Sequence, residues 1–362
     1  MTTVIGPESD ASAPTGRGKN TLLPVLRVIP EQCYERPTRR GMVLVARSLT
    51  IYAAILAGLV FADAWFLVVP LWLLAGLAVS SLFVLGHDAA HGALFDDAAR
   101  NRRIGRALML PSLHVYESWV VGHNRIHHGH TLRQDMDFVW HPKTVEQYRA
   151  MNRLQRLRHR IEWSPFGAAA YYAREVWWNK MMRFDPPERY RVNVKRDERF
   201  VAQWASLAVI AAAVAGWFLS GGALGSLWMI TKLFVVPFAL FCWTIGFAVY
   251  VHHIAPDIKW WPRRTWTSFH GQVEGTTVLR IPAVLNLFLH NIFVHVPHHV
   301  DVRIPCYELP RAAAAIIEAF PEVDHRDFRV RDYLRSTKAC KLYDFDEQRW
   351  LTYAEARRVQ TA

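Results

Sequence analysis

The stretch that decides the fold runs from Ser48 to Gly86 and reads SLTIYAAILAGLVFADAWFLVVPLWLLAGLAVSSLFVLG. Asp63 is the only charged residue in it. At about 1.5 Å per helical residue the stretch measures roughly 58 Å, about twice the thickness of the hydrocarbon core of a bilayer. This length predicts two crossings of a membrane, joined by a turn near Ala62-Asp63-Ala64.

A second apolar region has the same design. It runs from Val201 to Leu219, passes through Ser220-Gly221-Gly222, and continues from Ser226 to about Val251. The glycines favour a tight turn between two further crossings. The sequence therefore predicts an all-α integral membrane protein whose four transmembrane helices form two hairpins, with spans at about residues 48–62, 66–86, 201–219 and 226–251.

The charges of the chain predict its orientation. The formal net charge is +12, which on its own would also suit a nucleic-acid-binding protein. The basic residues, however, flank the apolar runs: residues 97–200 hold many of them, whereas the turns near Asp63 and Gly221 hold none. Because positively charged loops stay on the cytoplasmic side, we expect both termini and the central segment in the cytoplasm, and no nucleic-acid partner.

The remaining regions predict a simple division of the chain. Residues 1–20 are rich in Gly, Ser, Thr and Pro and do not resemble a signal peptide. We expect a disordered, basic tail over residues 1–40, a membrane domain over 41–310 and a cytosolic segment over 311–362. The four cysteines show no CxxC spacing, which favours a reducing, cytosol-facing environment.

Two further segments allow more than one interpretation. Residues 160–190 mix aromatic with basic residues and suit either an interfacial helix at the lipid headgroups or a helix of a packed soluble cap. Residues 276–294 are fairly apolar but contain Arg280 and Pro282. We expect a re-entrant or buried helix there, because a fifth crossing would place the histidines that follow on the opposite side.

Histidine clusters are the most distinctive polar feature of the chain. They read His87-Asp-Ala-Ala-His91, His123-Asn-Arg-Ile-His127-His128 and His295-Val-Pro-His298-His299, and the pair His252-His253 follows the last apolar run. Residues three or four apart are neighbours on a helix, so each cluster presents several imidazoles together. The predicted orientation brings all of them to the cytoplasmic face at a similar depth. The common spacing and sidedness indicate a metal site in a cytosolic helical cap.

The residue type alone does not choose the metal, because neutral imidazole binds iron, copper, nickel and zinc. Eight or nine histidines exceed the needs of one tetrahedral zinc ion or of a haem, and they suit two metal ions with open coordination positions. Two irons could activate O2, whereas two zinc ions could not. The chain lacks the paired Glu-x-x-His motifs of carboxylate-bridged di-iron proteins.

Metal-bound histidines need hydrogen-bond acceptors for their second ring nitrogen. Acidic residues next to or between the clusters are candidates, although each also suits a solvated surface position. The candidates are Asp88, Asp135, Asp137, Glu274 and Asp301, of which we favour Asp88. The isolated His114, His159, His270 and His325 are expected to be ordinary core or surface residues.

The clusters, in this order and with these gaps, resemble the histidine boxes of the membrane fatty acid desaturase superfamily over about residues 45–310. The sequence from His290 to His299 is similar to that of its acyl-lipid Δ12/ω6 members. The resemblance implies two irons bound by His87, His91, His123, His127, His128, His253, His295, His298 and His299. His252 is an alternative to His253. Some relatives place an asparagine, as a water-mediated ligand, where this chain has Val249, and His290 and Asn291 are candidate substitutes.

The resemblance also implies the reaction. A di-iron centre would use O2 to desaturate a long acyl chain of an acyl-lipid, acyl-CoA or acyl-carrier substrate. A ferredoxin or a cytochrome b5-like donor with its reductase would supply electrons, since the chain shows no flavin, nicotinamide or iron–sulfur motif. A hydroxylase, ketolase or epoxygenase of the same superfamily is the main alternative. A metal or haem transporter is disfavoured, because it would place ligands along the spans.

Overall fold

The computed structural model describes residues 21–137 and 139–358, so the predicted tail over residues 1–20 lies outside the described residues. Among the described residues, four helices are long and apolar enough to cross a membrane. They are Thr38–Phe61, Trp65–Ala90, Glu188–Leu219 and Gly222–His253, here called the first to fourth membrane helices. The prediction of a mainly α-helical membrane protein with four spans in two hairpins is confirmed.

Each hairpin turns where the sequence predicts. Residues 62–64 join the first and second membrane helices. The third and fourth are joined at Gly221 and Gly222, whose φ angles of 88° and 59° suit glycine and strain other residues. The helices extend beyond the apolar runs, as at Glu188, because helix-forming charged residues continue the third helix outside the predicted span.

The two hairpins pack against each other through the second and fourth membrane helices. Gly76 lies so close to the fourth helix that a Cβ atom on it would be 2.5 Å from the Cβ of Leu240. Nearer the histidines, the rings of Phe83 and Phe241 pack edge to face with centroids 5.3 Å apart. These contacts hold the histidine-bearing ends of the two helices side by side.

The rest of the chain forms mostly short helices. The fourth membrane helix itself has a π-helical part, and its three sections are Gly222–Ile230, Thr231–Val235 and Val236–His253. Before the third membrane helix the short helices are Leu23–Leu26, Glu31–Tyr34, Ala98–Leu108, Tyr116–Trp119, Val120–His127, His128–His130, Val145–Ala150, Arg153–Glu162, Ala168–Tyr171 and Tyr172–Met182. After the fourth they are His270–Glu274, Ala283–Leu285, Asn286–Leu289, His295–Val300, Leu309–Ala319, Val330–Ala339 and Tyr353–Arg358.

Four short strands in the described residues form two pairs. These are the parallel pair Val278–Arg280 with His325–Asp327 and the antiparallel pair Leu342–Asp344 with Arg349–Leu351. The hydroxyl of Tyr343 accepts a hydrogen bond from the backbone N–H of Trp260 at 2.8 Å, and the indole N–H of Trp350 donates to the carbonyl of Ile258 at 3.0 Å. The last part of the chain therefore packs on the segment that follows the fourth membrane helix.

The aromatic segment over residues 160–190 packs against the fourth membrane helix. Gly246 lies against Ala168 and Tyr172, and a Cβ atom on it would be 2.5 Å from the carbonyl oxygen of Ala168. The rings of Trp177 and Phe238 are 5.0 Å apart. The segment thus forms part of the wall around this helix.

Two segments differ from the sequence-based expectation. Residues 21–40 are ordered rather than a disordered tail, because Val25 and Cys33 are buried in one apolar cluster with the helix Leu309–Ala319. Residues 276–294 do not form a single buried helix: a strand comes first and only short helical turns follow. Pro282 lies two residues after the end of the strand and, lacking an N–H, cannot continue a helix ladder through this point.

Candidate metal centre

The clustered histidines come from four elements that meet at one end of the membrane helices. His87 lies in the last turn of the second membrane helix, and His253 is the last residue of the fourth. The second cluster lies on the π-helical segment Val120–His127 and the turn that follows it. The third lies on the short helix His295–Val300. All four elements bury their histidines almost completely, apart from the ends of the first two clusters.

Five of these histidines form a first group, in which one ring nitrogen from each lies within 4.8 Å of the others. They are His87, His91, His123, His128 and His298. The Nε2 atoms of His87 and His123 are 2.8 Å apart, and those of His123 and His128 are 3.1 Å apart. The ring nitrogens therefore converge on a common point.

A second group, formed by His127, His253 and His299, meets the same distance criterion. His295 lies beside it, with its Nε2 atom 3.1 Å from that of His299. The ring centroids of His128 and His299 are 4.4 Å apart, so the two groups adjoin. We count His295 with the second group from here on, so the nine histidines that the sequence singles out lie in two neighbouring groups of five and four.

Every histidine of the second group has an oxygen acceptor at Nδ1. The four hydrogen bonds run from His127 to Asp137 Oδ1 (2.8 Å), His253 to Gly275 O (2.9 Å), His295 to Ile292 O (3.1 Å) and His299 to Gln272 Oε1 (2.7 Å). Because these acceptors place the proton on Nδ1, the Nε2 lone pair of each ring is left free. The hydrogen bonds thus prepare four rings of one group to act as ligands.

The first group is organised differently. The Nδ1 atoms of His87, His91, His123 and His128 are buried and have no hydrogen-bond partner within the described ranges. Their tautomers are therefore not fixed by the protein residues that the structure describes. Hydrogen bonds therefore orient the rings of the second group before any metal binds, whereas the four rings named here have no such hydrogen bond at Nδ1 among the described residues.

This donor set fits metal ions. The Nε2 atoms of His253 and His298 are buried without a hydrogen-bond partner among the described residues. Burial and the neighbouring rings lower the pKa of His123 and His299 well below the usual value, so these rings are neutral, the form that binds metals. A set made only of imidazole nitrogens suits iron, copper, nickel or zinc rather than magnesium or calcium.

Of the predicted acidic partners, Asp137 hydrogen-bonds to a clustered histidine, whereas Asp88 and Asp135 do not. Burial alone would raise the pKa of the Asp137 carboxyl. His127 and the hydrogen bonds around Asp137 nevertheless hold this pKa well below its usual range. Asp88, which the sequence analysis favours, instead accepts the backbone N–H of Cys306 at 2.7 Å. Its Oδ1 atom is 3.7 Å from Nδ1 of His87, too far for a hydrogen bond. Asp135 is exposed.

The other two acids accept hydrogen bonds from residues outside the two groups. Glu274 accepts from Nδ1 of His270 at 2.6 Å. Asp301 accepts from the guanidinium of Arg303, also at 2.6 Å. The electrostatic environment of the second group is therefore set mainly by Asp137.

The structure separates the adjacent pair His252-His253. His253 belongs to the second group, whereas His252 stacks on the ring of His295 with centroids 3.8 Å apart. His290 lies 2.8 Å from the hydroxyl oxygen of Ser81 through Nε2. The side-chain amide of Asn291 donates to the carbonyl of Cys306 at 3.1 Å. Neither of these contacts involves a histidine of the two groups.

The comparison with known protein families agrees with this geometry. The model of the family described as fatty acid desaturase matches residues 30–331, which is most of the chain. The chain belongs to the fatty acid desaturase family. The resemblance that the histidine clusters indicate is confirmed.

This desaturase is similar to named enzymes over most of its length. It is 27% identical over 354 residues to the sn-1 oleoyl-lipid 12-desaturase of Anabaena variabilis, covering 96% of each chain. It is 29% identical over 332 residues to the chloroplastic omega-6 fatty acid desaturase of Brassica napus, covering 90% of this chain and 71% of the relative. It is 28% identical over 300 residues to the chloroplastic omega-3 fatty acid desaturase of Brassica napus, covering 81% and 72%. The chain is accordingly an enzyme, an oxidoreductase of acyl chains.

Sequence reasoning about this desaturase missed Gln272, whose amide oxygen is the acceptor for His299. A glutamine carries no charge and has no fixed spacing from the cluster that it contacts, so the sequence gives no sign of its role as an acceptor. The acceptor carbonyls of Gly275 and Ile292 could not be predicted either, because every residue has a backbone carbonyl. His114, by contrast, is an ordinary core residue as expected, since its ring nitrogens contact the carbonyl of Ser112 and the hydroxyl of Tyr172.

Proposed function

We propose that the chain is an O2-dependent acyl-lipid desaturase, which introduces a double bond into a long acyl chain with two iron ions bound by nine histidines. The observation that carries this proposal is the pair of adjoining histidine groups at the end of four membrane helices. The proposed ligands of one iron are His87, His91, His123, His128 and His298, and those of the other are His127, His253, His295 and His299.

The irons, when bound and reduced, would supply the O2-derived oxidising power that removes two hydrogens from adjacent methylenes. The residues of the chain act by position. Asp137 and Gln272 hold the rings of His127 and His299 in one orientation and one tautomer. A site whose ligands are fixed in advance loses little energy to reorganisation when it binds metal or substrate.

An apolar wall lies next to the first group. The indole of Trp119 stacks on His123 with ring centroids 4.4 Å apart, and Phe83 packs on the same indole at 5.0 Å. Phe241 of the fourth membrane helix continues this wall. The three rings are almost fully buried in the core, so this wall keeps water away from the histidines.

We further propose that both termini and the histidine groups face the cytoplasm. The support is the distribution of Lys and Arg, which are dense in residues 97–200 and absent from the turns at residues 62–64 and 220–222. An external donor, a ferredoxin or a cytochrome b5-like protein, would supply the electrons. An acidic carrier would be attracted to the arginine-rich segments on this face.

The test is expression of the full chain in a host with a simple lipid profile, followed by gas chromatography–mass spectrometry of its fatty acids. We expect a new double bond, whose position the spectrum reports, and we expect His127→Ala and His298→Ala to abolish it. The exposed His325 provides a control, and His325→Ala should leave the product in place. Hydroxy acids instead of olefins, or full product from the two cluster variants, would contradict the proposal.

A further inference from the structure

A second polar feature of the molecule lies outside the histidine groups. It is a cavity of about 180 Å³ between the segment after the second histidine cluster and the helices Arg153–Glu162 and Ala168–Tyr171. The residues that decide its character are His141, Lys143, Arg158, His159, Arg174 and Glu175. Its wall also includes Trp163 and Tyr171, which both pack around Trp140. The cavity is thus lined mainly by polar and cationic groups.

The carboxylates at this cavity are already neutralised. The guanidinium of Arg174 contacts both oxygens of Glu162 and donates to Glu175 at 2.6 Å. Lys180 also lies 3.5 Å from Glu175. Arg158 reaches Glu162 only at 3.9 Å, and its side chain is half exposed. The two acids therefore leave cationic charge uncompensated at the cavity.

Two groups at the cavity lack a partner among the residues that the structure describes. Lys143 lines the cavity and forms no ion pair within the described part of the chain. His159 is 5% exposed, and its Nε2 atom is buried without a hydrogen-bond partner among the described residues. Its Nδ1 atom lies 2.8 Å from the hydroxyl of Tyr353. When this hydroxyl donates to Nδ1, the ring carries its proton on Nε2, a buried N–H in the cavity wall that lacks an acceptor.

Several cations lie near His159. Burial first, and then the cations Lys143, Lys341 and Arg174, lower the pKa of His159 to about 3. The ring is therefore neutral at physiological pH while it feels the charge of three or more neighbouring cations. A small anion placed among these groups would be attracted by the cations and would accept hydrogen bonds.

The helix that provides part of this cavity also exposes an apolar face. Leu154, Leu157 and Ile161 are 74%, 55% and 52% exposed and follow the i, i+3, i+7 spacing of one helix face. The cavity-lining Arg158 and His159 lie on the adjacent face of the same helix. An exposed apolar row beside basic residues is typical of a helix that lies on a lipid surface.

We propose that this cavity binds the phosphate group of a phospholipid headgroup, with the lipid's hydrocarbon part against Leu154, Leu157 and Ile161. A free phosphate ion would make the same contacts in the cavity but would make no contact with the apolar row. The identification of this phospholipid with the acyl substrate rests on the proposed function, whereas the binding itself does not.

The test uses the full-length, purified protein in detergent and three probes: inorganic phosphate, a dispersed short-chain phosphatidylglycerol and a neutral galactolipid of the same chain length. Equilibrium binding is measured for the unmodified chain, for Lys143→Gln and His159→Gln, and for Leu157→Asn. Lys338→Gln, which removes an exposed cation elsewhere, is the matched control. Thermal unfolding and helical circular dichroism confirm that each variant is folded.

We expect phosphatidylglycerol to bind at least tenfold more tightly than the galactolipid. Lys143→Gln should weaken its binding about tenfold, as expected for one charge-assisted hydrogen bond, with Lys338→Gln unchanged. Leu157→Asn should weaken the binding of phosphatidylglycerol but not the binding of inorganic phosphate. Equal binding of the two lipids, or no effect of Lys143→Gln and His159→Gln, would overturn the proposal. Phosphate binding as tight as lipid binding, with Leu157→Asn silent, would overturn the lipid assignment. The binding result stands whether or not expression yields an olefin, so failure of the proposed function is seen separately.

Discussion

The carboxylate of Asp137 lies 2.8 Å from Nδ1 of His127 and determines which nitrogen of that ring carries the proton. The same carboxylate accepts the backbone N–H groups of Leu132 and Val139 at 2.9 and 3.0 Å. It is therefore held in place by its own neighbours and in turn holds the histidine. His127 is one of the histidines where the two groups adjoin, so its orientation affects how the second group meets the first.

Replacement of Asp137 by asparagine should lower the iron content of the purified protein. An amide can present its NH2 group to Nδ1, which removes the charge and disturbs the tautomer, and loss of such a partner typically costs 10–100-fold in metal affinity. The measurement is iron per chain after equilibration at a series of free iron concentrations. Asp135→Asn is the matched control, because Asp135 is exposed and only two residues away. Equal iron affinities of the two variants would contradict this role of Asp137.

The amide of Gln272 should be needed as an acceptor rather than for its size. Its oxygen accepts from His299 at 2.7 Å, and the hydroxyl of Thr131 donates to the same oxygen at 3.1 Å. Gln272→Leu removes the acceptor, whereas Gln272→Glu keeps it. We expect the leucine variant to lose about tenfold or more in metal affinity and to alter the visible spectrum of the cobalt-substituted protein. The glutamate variant should recover only part of both, because its second oxygen replaces the amide N–H that donates to the carbonyl of His128. An unaltered spectrum in the leucine variant would refute this role.

The sequence predicts the large elements of this molecule because their signals are local. Apolar runs of span length and turns at Asp63 and Gly221 determine the hairpins, and the spacing within each cluster determines which histidines share a helix face. The division into groups is not local. His127 and His128 are adjacent in sequence yet belong to different groups, since the helix turns their rings apart by about 100° per residue.

Partners beyond the histidines could not be predicted because they depend on long-range contacts. Asp88 is inside the first cluster, but the end of its helix directs the carboxylate to the backbone of Cys306, more than two hundred residues later. Asp137 reaches His127 because the chain turns back after the second cluster, with Asp135 in a left-handed conformation at a φ of 56°. Short spacing in the sequence favours Asp88, whereas the folded backbone favours Asp137.

A buried lysine should stabilise the contact between the two hairpins. Lys232 lies in the π-helical part of the fourth membrane helix, is fully buried, and donates to the carbonyl of Ala62 at 3.0 Å and to that of Val60 at 3.3 Å. These carbonyls end the first membrane helix, where no helical N–H follows. Lys232→Met should therefore destabilise the protein by about 1–3 kcal/mol, the cost of leaving buried acceptors unsatisfied.

The measurement for Lys232 is reversible unfolding in detergent, compared with Lys195→Met. Lys195 is exposed and pairs with Glu198 on the surface of the third membrane helix, at 2.8 Å. Loss of such a pair costs at most about 1 kcal/mol. A Lys232→Met protein as stable as the Lys195→Met control would show that the two carbonyls do not need this donor.

The close contact between the second and fourth membrane helices at Gly76 should limit which residue can occupy this position. A Cβ atom at Gly76 would lie 2.5 Å from the Cβ of Leu240, so Gly76→Ala must push the two helices apart. We expect a loss of about 1–3 kcal/mol, as for overpacked cores, and reduced iron binding because these helices carry His87 and His253. Gly58→Ala is the control: its Cβ atom would meet Leu71 at an ordinary 3.5 Å, and the change should be neutral or slightly stabilising. If unfolding and iron titrations give the same result for both alanine variants, the spacing of these helices does not determine the geometry of the histidines.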